Sequence, residues 1–324
     1  RFMMKGLKLF LLIFSIGLLF LSTLVFAQET VSGEIAVIVK EATSSFWQNV
    51  EVGASDAEKE LVAQGEKIDV SFLGPAAETK IEEQVNLVEN AINRNVLAIV
   101  LAPSSPDALV PVVKKANEAG IPVVIIDSLL NSEEGYVSFL ATDNRAAGIL
   151  CAEELIKRAG TEGKVAVMSY VPGVGSEIGR VGGFIDTIKE KTSMEIVGPF
   201  YSQSDMVTAL NQTTDVLSAN PDLTAIFGAN EPTAIGMGRA IEQAGLAGQI
   251  VAIGFDGNKD LQEMVRNDTL QGIAVQNPYR MGYDGVKIAL AAAKGEEVSK
   301  YINTGVVFVT KDNIDSEEAQ RVLY

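Results

Sequence analysis

The side chains that could do chemistry in this sequence cluster just after short apolar runs. Asp127 ends IID (125–127), Asp256 ends GFD (254–256), Asn230 follows AIFGA and Gln276 follows GIAV. Ser44 leads into Phe46-Trp47, Ser128 follows Asp127, and Arg180 stands in EIGRVGGF. No nucleophile stands with a base among them. What they can do is hold a neutral polyol: carboxylates accept pairs of hydroxyl hydrogens, Arg and amides bridge neighbouring hydroxyls, and flat rings pack on the C–H face of a sugar ring. The chain contains no His, which removes the commonest general base, the Ser-His-Asp and Cys-His arrangements, and most catalytic zinc sites. The reading is therefore a binding protein, not an enzyme, with no cofactor and no metal. A neutral ligand and a chain without His also predict an affinity nearly flat between about pH 6 and 8.

Each of these residues has a plainer reading. Phe46 and Trp47 open an amphipathic helix, where aromatic rings are usually core. Asp127 and Asp256 could cap turns, Asn230 would be a good helix N-cap in any protein, and Arg180 could be a solvated helix residue. Asp143-Asn144 reads as turn chemistry. Gly173-Val-Gly175-Ser-Glu-Ile-Gly179 superficially resembles a dinucleotide loop, but its GxGxxxG spacing differs from GxGxxG and no acidic residue closes the next apolar run, MEIVGPF. Cys151, the only cysteine, has no partner for an internal disulfide and reads as a small buried hydrophobe.

The 324 residues carry 26 Lys+Arg against 42 Asp+Glu, a net charge of -16 that repels polyphosphate backbones and excludes nucleic acid as a partner. Residues 1–27 combine Arg1, Lys5 and Lys8 with the apolar run LFLLIFSIGLLFLSTLVF and the small Ala27, the layout of a secretory signal peptide cleaved after Ala27. The alternative for this segment is a permanent membrane anchor. Cleavage removes three positive charges and takes the net charge from -16 to -19. No Cys lies near the cut for lipid attachment, so the expected location is the periplasm.

Positioning the candidate residues requires an alternating chain. EIAVIVK (34–40), KIDVSFL (67–73), LAIVLA (97–102), PVVIID (122–127) and YVSFLA (136–141) read as strands, and helical spacing follows the first three. The pattern restarts with KVAVMSY, MEIVGPF, TAIFGA, IVAIGFD and LQGIAV, then a helix at about 279–294 and the strand VVFVT. Short apolar strands alternating with amphipathic helices mean βαβ units and parallel sheets, here two doubly wound halves connected near 141–143. In such sheets ligands lie beyond the C-terminal ends of the strands, where the candidate residues fall.

At these positions the sequence resembles the ribose-type periplasmic sugar-binding proteins of ABC importers. The resemblance rests on Phe46-Trp47, IID (125–127), SFLATDNRAAG (138–148), Arg180-Val-Gly-Gly-Phe184, AIFGANEPTAIG (225–236), IGFDG (253–257) and VQNPYRMG (275–282), and runs from about residue 34 to 311. It implies an α/β fold of periplasmic-binding-protein type I, with two Rossmann-like lobes joined by a three-strand hinge. The implied lobes are 33–141 plus 277–305 and 142–276 plus 306–324. It further implies that a monomer closes on one monosaccharide and delivers it to the membrane permease subunits of an ABC importer. The alternative is a sugar-sensing receptor subunit for chemotaxis or a sensor kinase. Position by position, Phe46 and Trp47 match the aromatic clamp, Asp127 and Asp256 the hydroxyl acceptors, Arg180 the bridging guanidinium, and Asn230 and Gln276 the amide contacts. Ser44, Ala102 and Ser128 replace Asn, Asn and Arg of the ribose binders, and Ser204 replaces an aromatic for which Tyr201 is a candidate substitute. Each unpaired buried hydroxyl costs about 1–3 kcal/mol, so these losses point to a pentose-like sugar or a deoxy or thio-substituted derivative.

Overall fold

The computed structural model describes residues 31–324, and the export segment expected at residues 1–27 lies outside them. In chain order the first elements are β1 (Ser32–Ile38), α1 (Ser45–Ala63), β2 (Lys67–Leu73), α2 (Ile81–Asn93), β3 (Ala98–Leu101), α3 (Val110–Glu118), β4 (Val123–Ile126) and β5 (Ser138–Ala141). There follow α4 (Asn144–Ala159), β6 (Lys164–Ser169), α5 (Gly175–Lys191), β7 (Glu195–Tyr201), α6 (Met206–Ala219), β8 (Ala225–Gly228), α7 (Glu231–Gln243), β9 (Val251–Phe255), α8 (Lys259–Arg266) and β10 (Gly272–Val275). The remaining elements are α9 (Pro278–Ala293), β11 (Tyr301–Asn303), β12 (Val307–Val309) and α10 (Glu317–Gln320).

The strands form two six-stranded sheets, ordered β11-β5-β4-β3-β1-β2 and β12-β10-β9-β8-β6-β7. Every pairing in the first is parallel, and in the second only β12 runs antiparallel, to β10. Helices cover both faces of each sheet, which is why the central strands AIVL, VVII and AIFG are apolar at every position and fully buried. Alternation along a strand then decides which helix each residue meets. Ile35 and Val37 of β1 pack with α1 and α9, whereas Ala36 and Ile38 pack with α2 and α3. Ala166 and Met168 of β6 likewise join α6, α7 and α8, while Val165 and Val167 join α4 and α5. Cys151 lies in this last cluster, and burial pushes its thiol well above the usual range, so it is an inert packing residue.

Three segments cross between the sheets: 142–143 after β5, 276–277 after β10, and 304–306 after β11. The first and third are tied together, since Thr304 N–H donates to Ala141 O (2.9 Å) and Thr142 Oγ1 donates to Gly305 O (3.0 Å). β11 has no counterpart in the sequence reading. Its three residues, exposed at Tyr301 and Asn303, carry no apolar pattern and become a strand only through pairing with β5.

Helix pairs against both sheets approach closely enough to exclude a Cβ. A methyl group on Gly53 of α1 would be driven into the carbonyl oxygen of Tyr279, and one on Gly282 of α9 into that of Val50. In the other sheet Gly148 of α4 abuts the carbonyl of Arg180 on α5, and Gly183 abuts that of Arg145. These crossings fix α1, whose first turn bears Phe46 and Trp47, and α5, whose second turn bears Arg180. Exposed helical Gly→Ala changes gain up to about 1 kcal/mol of propensity, but here the inserted methyl must force two backbones apart, at about 1–3 kcal/mol. Gly148→Ala is therefore expected to lower the denaturation midpoint measured by circular dichroism, and an increase would mean that the two helices separate freely.

Candidate functional site

The C-terminal ends of both sheets face one cleft of about 520 Å³, a size suited to a small ligand. Asp127 follows β4 and Asp256 follows β9, the equivalent strand of the second sheet. Both adopt left-handed backbone, with φ of 62° and 77°. Each N–H donates to the adjacent strand, Asp127 to Leu140 O (3.0 Å) and Asp256 to Ala274 O (2.8 Å). Non-glycine residues held in this region cost stability and cluster at functional sites.

The Asp256 carboxylate accepts from Gln276 Nε2 (2.9 Å) and from the Glu231 N–H (2.9 Å). Gln276 Oε1 is buried and has no partner among the described residues, and Gln276 lines the cleft. Arg180 is 2% exposed yet satisfied: Nε and Nη2 donate to Asn144 Oδ1 (3.2 and 2.8 Å), Nη1 donates to Ala229 O (2.6 Å), and the guanidinium lies 3.7 Å from the centroid of Phe255. Three of the five N–H donors of a guanidinium are engaged, which leaves two for a ligand. Asn144 also donates to the Asp127 carbonyl (3.3 Å), so one amide positions both an acceptor and a donor.

The opposite wall holds Lys40, buried at 2% exposure, with Nζ 2.6 Å from Asp127 Oδ2 and 2.6 Å from Ser128 Oγ. Trp47, 3% exposed, meets Phe46 edge to face at 4.8 Å and presents its ring 5.9 Å from Lys40 Nζ. Besides the Asn144 bond to Asp127, contacts across the cleft include Lys40 Nζ donating to Ser176 Oγ (3.4 Å), Ser204 Oγ to Glu78 Oε2 (3.0 Å), and Phe46 N–H to Glu231 Oε1 (3.3 Å).

Ser44, Phe46, Trp47, Asp127, Arg180, Asn230, Asp256 and Gln276 all line this cleft. Ser128 is not among its lining residues; its hydroxyl donates to Asp127 Oδ2 (2.8 Å) and accepts from Lys40, so it braces the wall from behind. Tyr201 does not line the cleft either, and the aromatic of the second sheet there is Tyr170, whose hydroxyl donates to Ser176 Oγ (2.8 Å). Asn230 is the N-cap of its plainer reading: its Oδ1 caps α7 at the Thr233 N–H, while its Nδ2 donates to Ser204 Oγ (3.0 Å) at the cleft. Lys40, Glu78, Glu231 and Asn144 escape the sequence reading. A Lys beyond a strand and a Glu at a helix start read as solvated, and only partners far along the chain give them roles.

Burial also alters the expected titration. It pushes Asp256 up to about 6 against the opposing charge of Arg180, pushes Glu231 up to about 8 with the help of Asp256, and raises Glu78. Burial thus brings carboxyls toward neutrality in a chain without His, an effect that composition does not show.

Residues 35–297 match the periplasmic binding protein domain family. The chain belongs to that family. The binding protein is 32% identical over 287 residues to the D-allose-binding periplasmic protein of Escherichia coli (strain K12), covering 86% of this chain and 89% of that one. It is similar to the crystal structure of an ABC transporter solute-binding protein from Agrobacterium vitis with bound D-fucose, at 63% identity and a TM-score of 0.88 over 90% of this chain and 100% of that one. It is also similar to a carbohydrate transporter solute-binding protein from Agrobacterium radiobacter in complex with D-arabinose, at 37% identity and a TM-score of 0.85 over 90% and 99% of the two chains.

The raised carboxyls set the sign of the pH dependence. A group whose folded value lies above its unfolded value binds more protons when folded, so its contribution is complete below the unfolded value and is lost as pH rises through the folded one. For Asp256 and Glu231 that window runs from about 4 to about 8. The lowered carboxyls, among them Asp205 and Asp222, complete their titration below it. The unliganded binding protein should therefore melt at a lower temperature at pH 8.5 than at pH 5.5 in a calorimetric scan. A melting temperature that rises over this interval would show that these carboxyls are solvated.

Proposed function

We propose that this chain is the exported solute-binding component of a sugar ABC importer, and that it closes on a neutral pyranose lacking a 6-hydroxyl, a pentose or a 6-deoxyhexose. The observation that carries this reading is the cleft chemistry: two left-handed aspartates facing each other from equivalent strands, a guanidinium with two spare donors, the orphaned Gln276 acceptor, and an aromatic pair. This set matches hydroxyls on a ring with an apolar face. Its buried carboxyls outnumber Lys40 and Arg180, which disfavours uronates and sugar phosphates. D-fucose in the 63% identical protein and D-arabinose in the 37% identical one both lack a 6-hydroxyl, which supports the same choice here. Lobes 33–141 plus 277–305 and 142–276 plus 306–324 then move about the three crossings, in a periplasmic monomer cleaved after Ala27 that presents its closed form to permease subunits.

Titration calorimetry is expected to give tight D-fucose binding and at least roughly tenfold weaker D-galactose binding, because the extra hydroxyl is desolvated without a partner at about 1–3 kcal/mol. D-fucose should also reduce the radius of gyration in small-angle scattering. Absence of heat with every neutral pentose and hexose would refute the reading.

Asp256→Ala removes charge-assisted bonds worth about 1.5–3 kcal/mol each and is expected to weaken D-fucose more than about a hundredfold. Near-normal affinity in the folded variant would reduce Asp256 to a turn residue.

A further inference from the structure

Most helices around the cleft cap themselves. The side chains of Asp143, Asp205, Asn230, Asn258 and Asn277 each accept an N–H from the first turn of α4, α6, α7, α8 and α9. α1 differs. Its N-cap Ser44 makes no side-chain cap bond, no acidic residue stands in its first turn, and Glu41 is engaged with the N–H groups of Thr43 and Ser44 before the helix begins. The acceptor for the Phe46 N–H is Glu231 Oε1, which projects from the first turn of α7 on the other side of the cleft. Glu231 is 3% exposed. Its second oxygen, Oε2, takes the Tyr324 hydroxyl at 3.0 Å. Tyr324 belongs to the second sheet by its backbone, since its N–H donates to Gly257 O (3.2 Å) and its carbonyl accepts from Gln262 Nε2 (3.1 Å). Its ring nevertheless packs against the apolar cluster of the first sheet that contains Phe46 and Trp47.

We propose that Glu231 is a latch for lobe closure, capping the helix that carries the aromatic clamp from the opposite lobe, with Tyr324 as the residue that holds its carboxyl in position. The proposal rests on the sugar-closing reading above and adds to it a positioning residue in the closing step. A cap supplied across the cleft exists only while the lobes meet, so the first turn of α1, and with it Phe46 and Trp47, becomes ordered as closure occurs. Caps of this kind contribute about as much as a good hydrogen bond and are strengthened by the positive end of the helix. Separation of the lobes returns the carboxyl to water, so closure is coupled to its protonation. The titratable groups facing it are Asp256 from the end of β9 and the Tyr324 hydroxyl, which burial keeps neutral. The neighbouring Asp256 and the burial oppose ionisation of Glu231 in the closed state.

The test compares the wild type with Glu231→Ala, Glu231→Gln and Tyr324→Phe. Amide hydrogen exchange at the first turn of α1 is followed without sugar and with saturating D-fucose. Glu231→Ala should raise exchange at Phe46 by about tenfold or more under the conditions that protect it in the wild type. Glu231→Gln, whose amide oxygen still accepts the N–H, should restore most of the protection, and Tyr324→Phe should fall between them. The pH profile separates a latch from a passive packing residue: D-fucose affinity of the wild type should weaken by about tenfold or more as pH rises from 6 to 9, whereas Glu231→Gln should lack that loss. Equal exchange in wild type and Glu231→Ala in both states overturns the latch, and equal pH profiles in wild type and Glu231→Gln overturn its proton coupling. If wild type binds neither D-fucose nor D-arabinose, the sugar reading fails separately, and exchange in the unliganded proteins decides the latch.

Discussion

The buried pair of Lys40 and Asp127, 2.6 Å apart, is the constraint around which the cleft is arranged. An ammonium removed from water is tolerable only beside a carboxylate whose remaining lone pairs are also satisfied, and losing one partner leaves an uncompensated charge. Ser128 therefore bonds both members, Ser176 adds a further acceptor from the facing wall, and the left-handed turn at Asp127 aims its carboxylate inward while its N–H stays bonded to β5. Asn144 carries the arrangement onward, because the same amide that donates to the Asp127 carbonyl receives the Arg180 guanidinium. One charge on each wall is thus held by groups that converge near the first crossing segment. The cleft is polar, desolvated and pre-arranged before any ligand is considered.

Much of this was legible in the sequence because the decisive features are local. Runs such as VVII and AIFG can only be strands covered on both faces, and residues that follow them must lie at one edge of a parallel sheet. That placed Asp127, Asn230, Asp256 and Gln276 along one rim. The remainder depends on distance in the chain. Lys40 and Asp127 are 87 positions apart, and nothing in VIVKEAT marks the lysine as buried. Asn144 reads as a turn residue but opens α4, and its partner Arg180 lies one helix further on. Ser128 and Tyr201 illustrate the reverse: Ser128 stands beside Asp127 and Tyr201 two positions before Gln203, yet neither lines the cleft. Near-neutral carboxyls were invisible for the same reason, since composition reports which groups exist and not how dry they become.

The two sheets repeat one plan. Aspartates occupy the same strand position in each, and each lobe contains a helix pair whose glycines let backbone touch backbone. A side chain on α1 or α5 cannot shift without its helix, and the helix cannot shift without its glycine-packed partner. Interiors packed this tightly transmit displacement with little internal give. If the lobes move as proposed, the three crossing segments, tied by few hydrogen bonds, are where the movement would fall.

The unpaired carbonyl oxygen of Gln276 bears on how such a molecule avoids false alarms. An empty cleft that shuts leaves this acceptor dry, a penalty of about 1–3 kcal/mol. On the proposed reading, a sugar hydroxyl that met this acceptor would remove the penalty on binding. By this one atom, vacant shut molecules are rarer than they would be by a factor of about five to a hundred and fifty. Machinery that recognises the shut shape and expends ATP in response would seldom be triggered by a carrier without cargo.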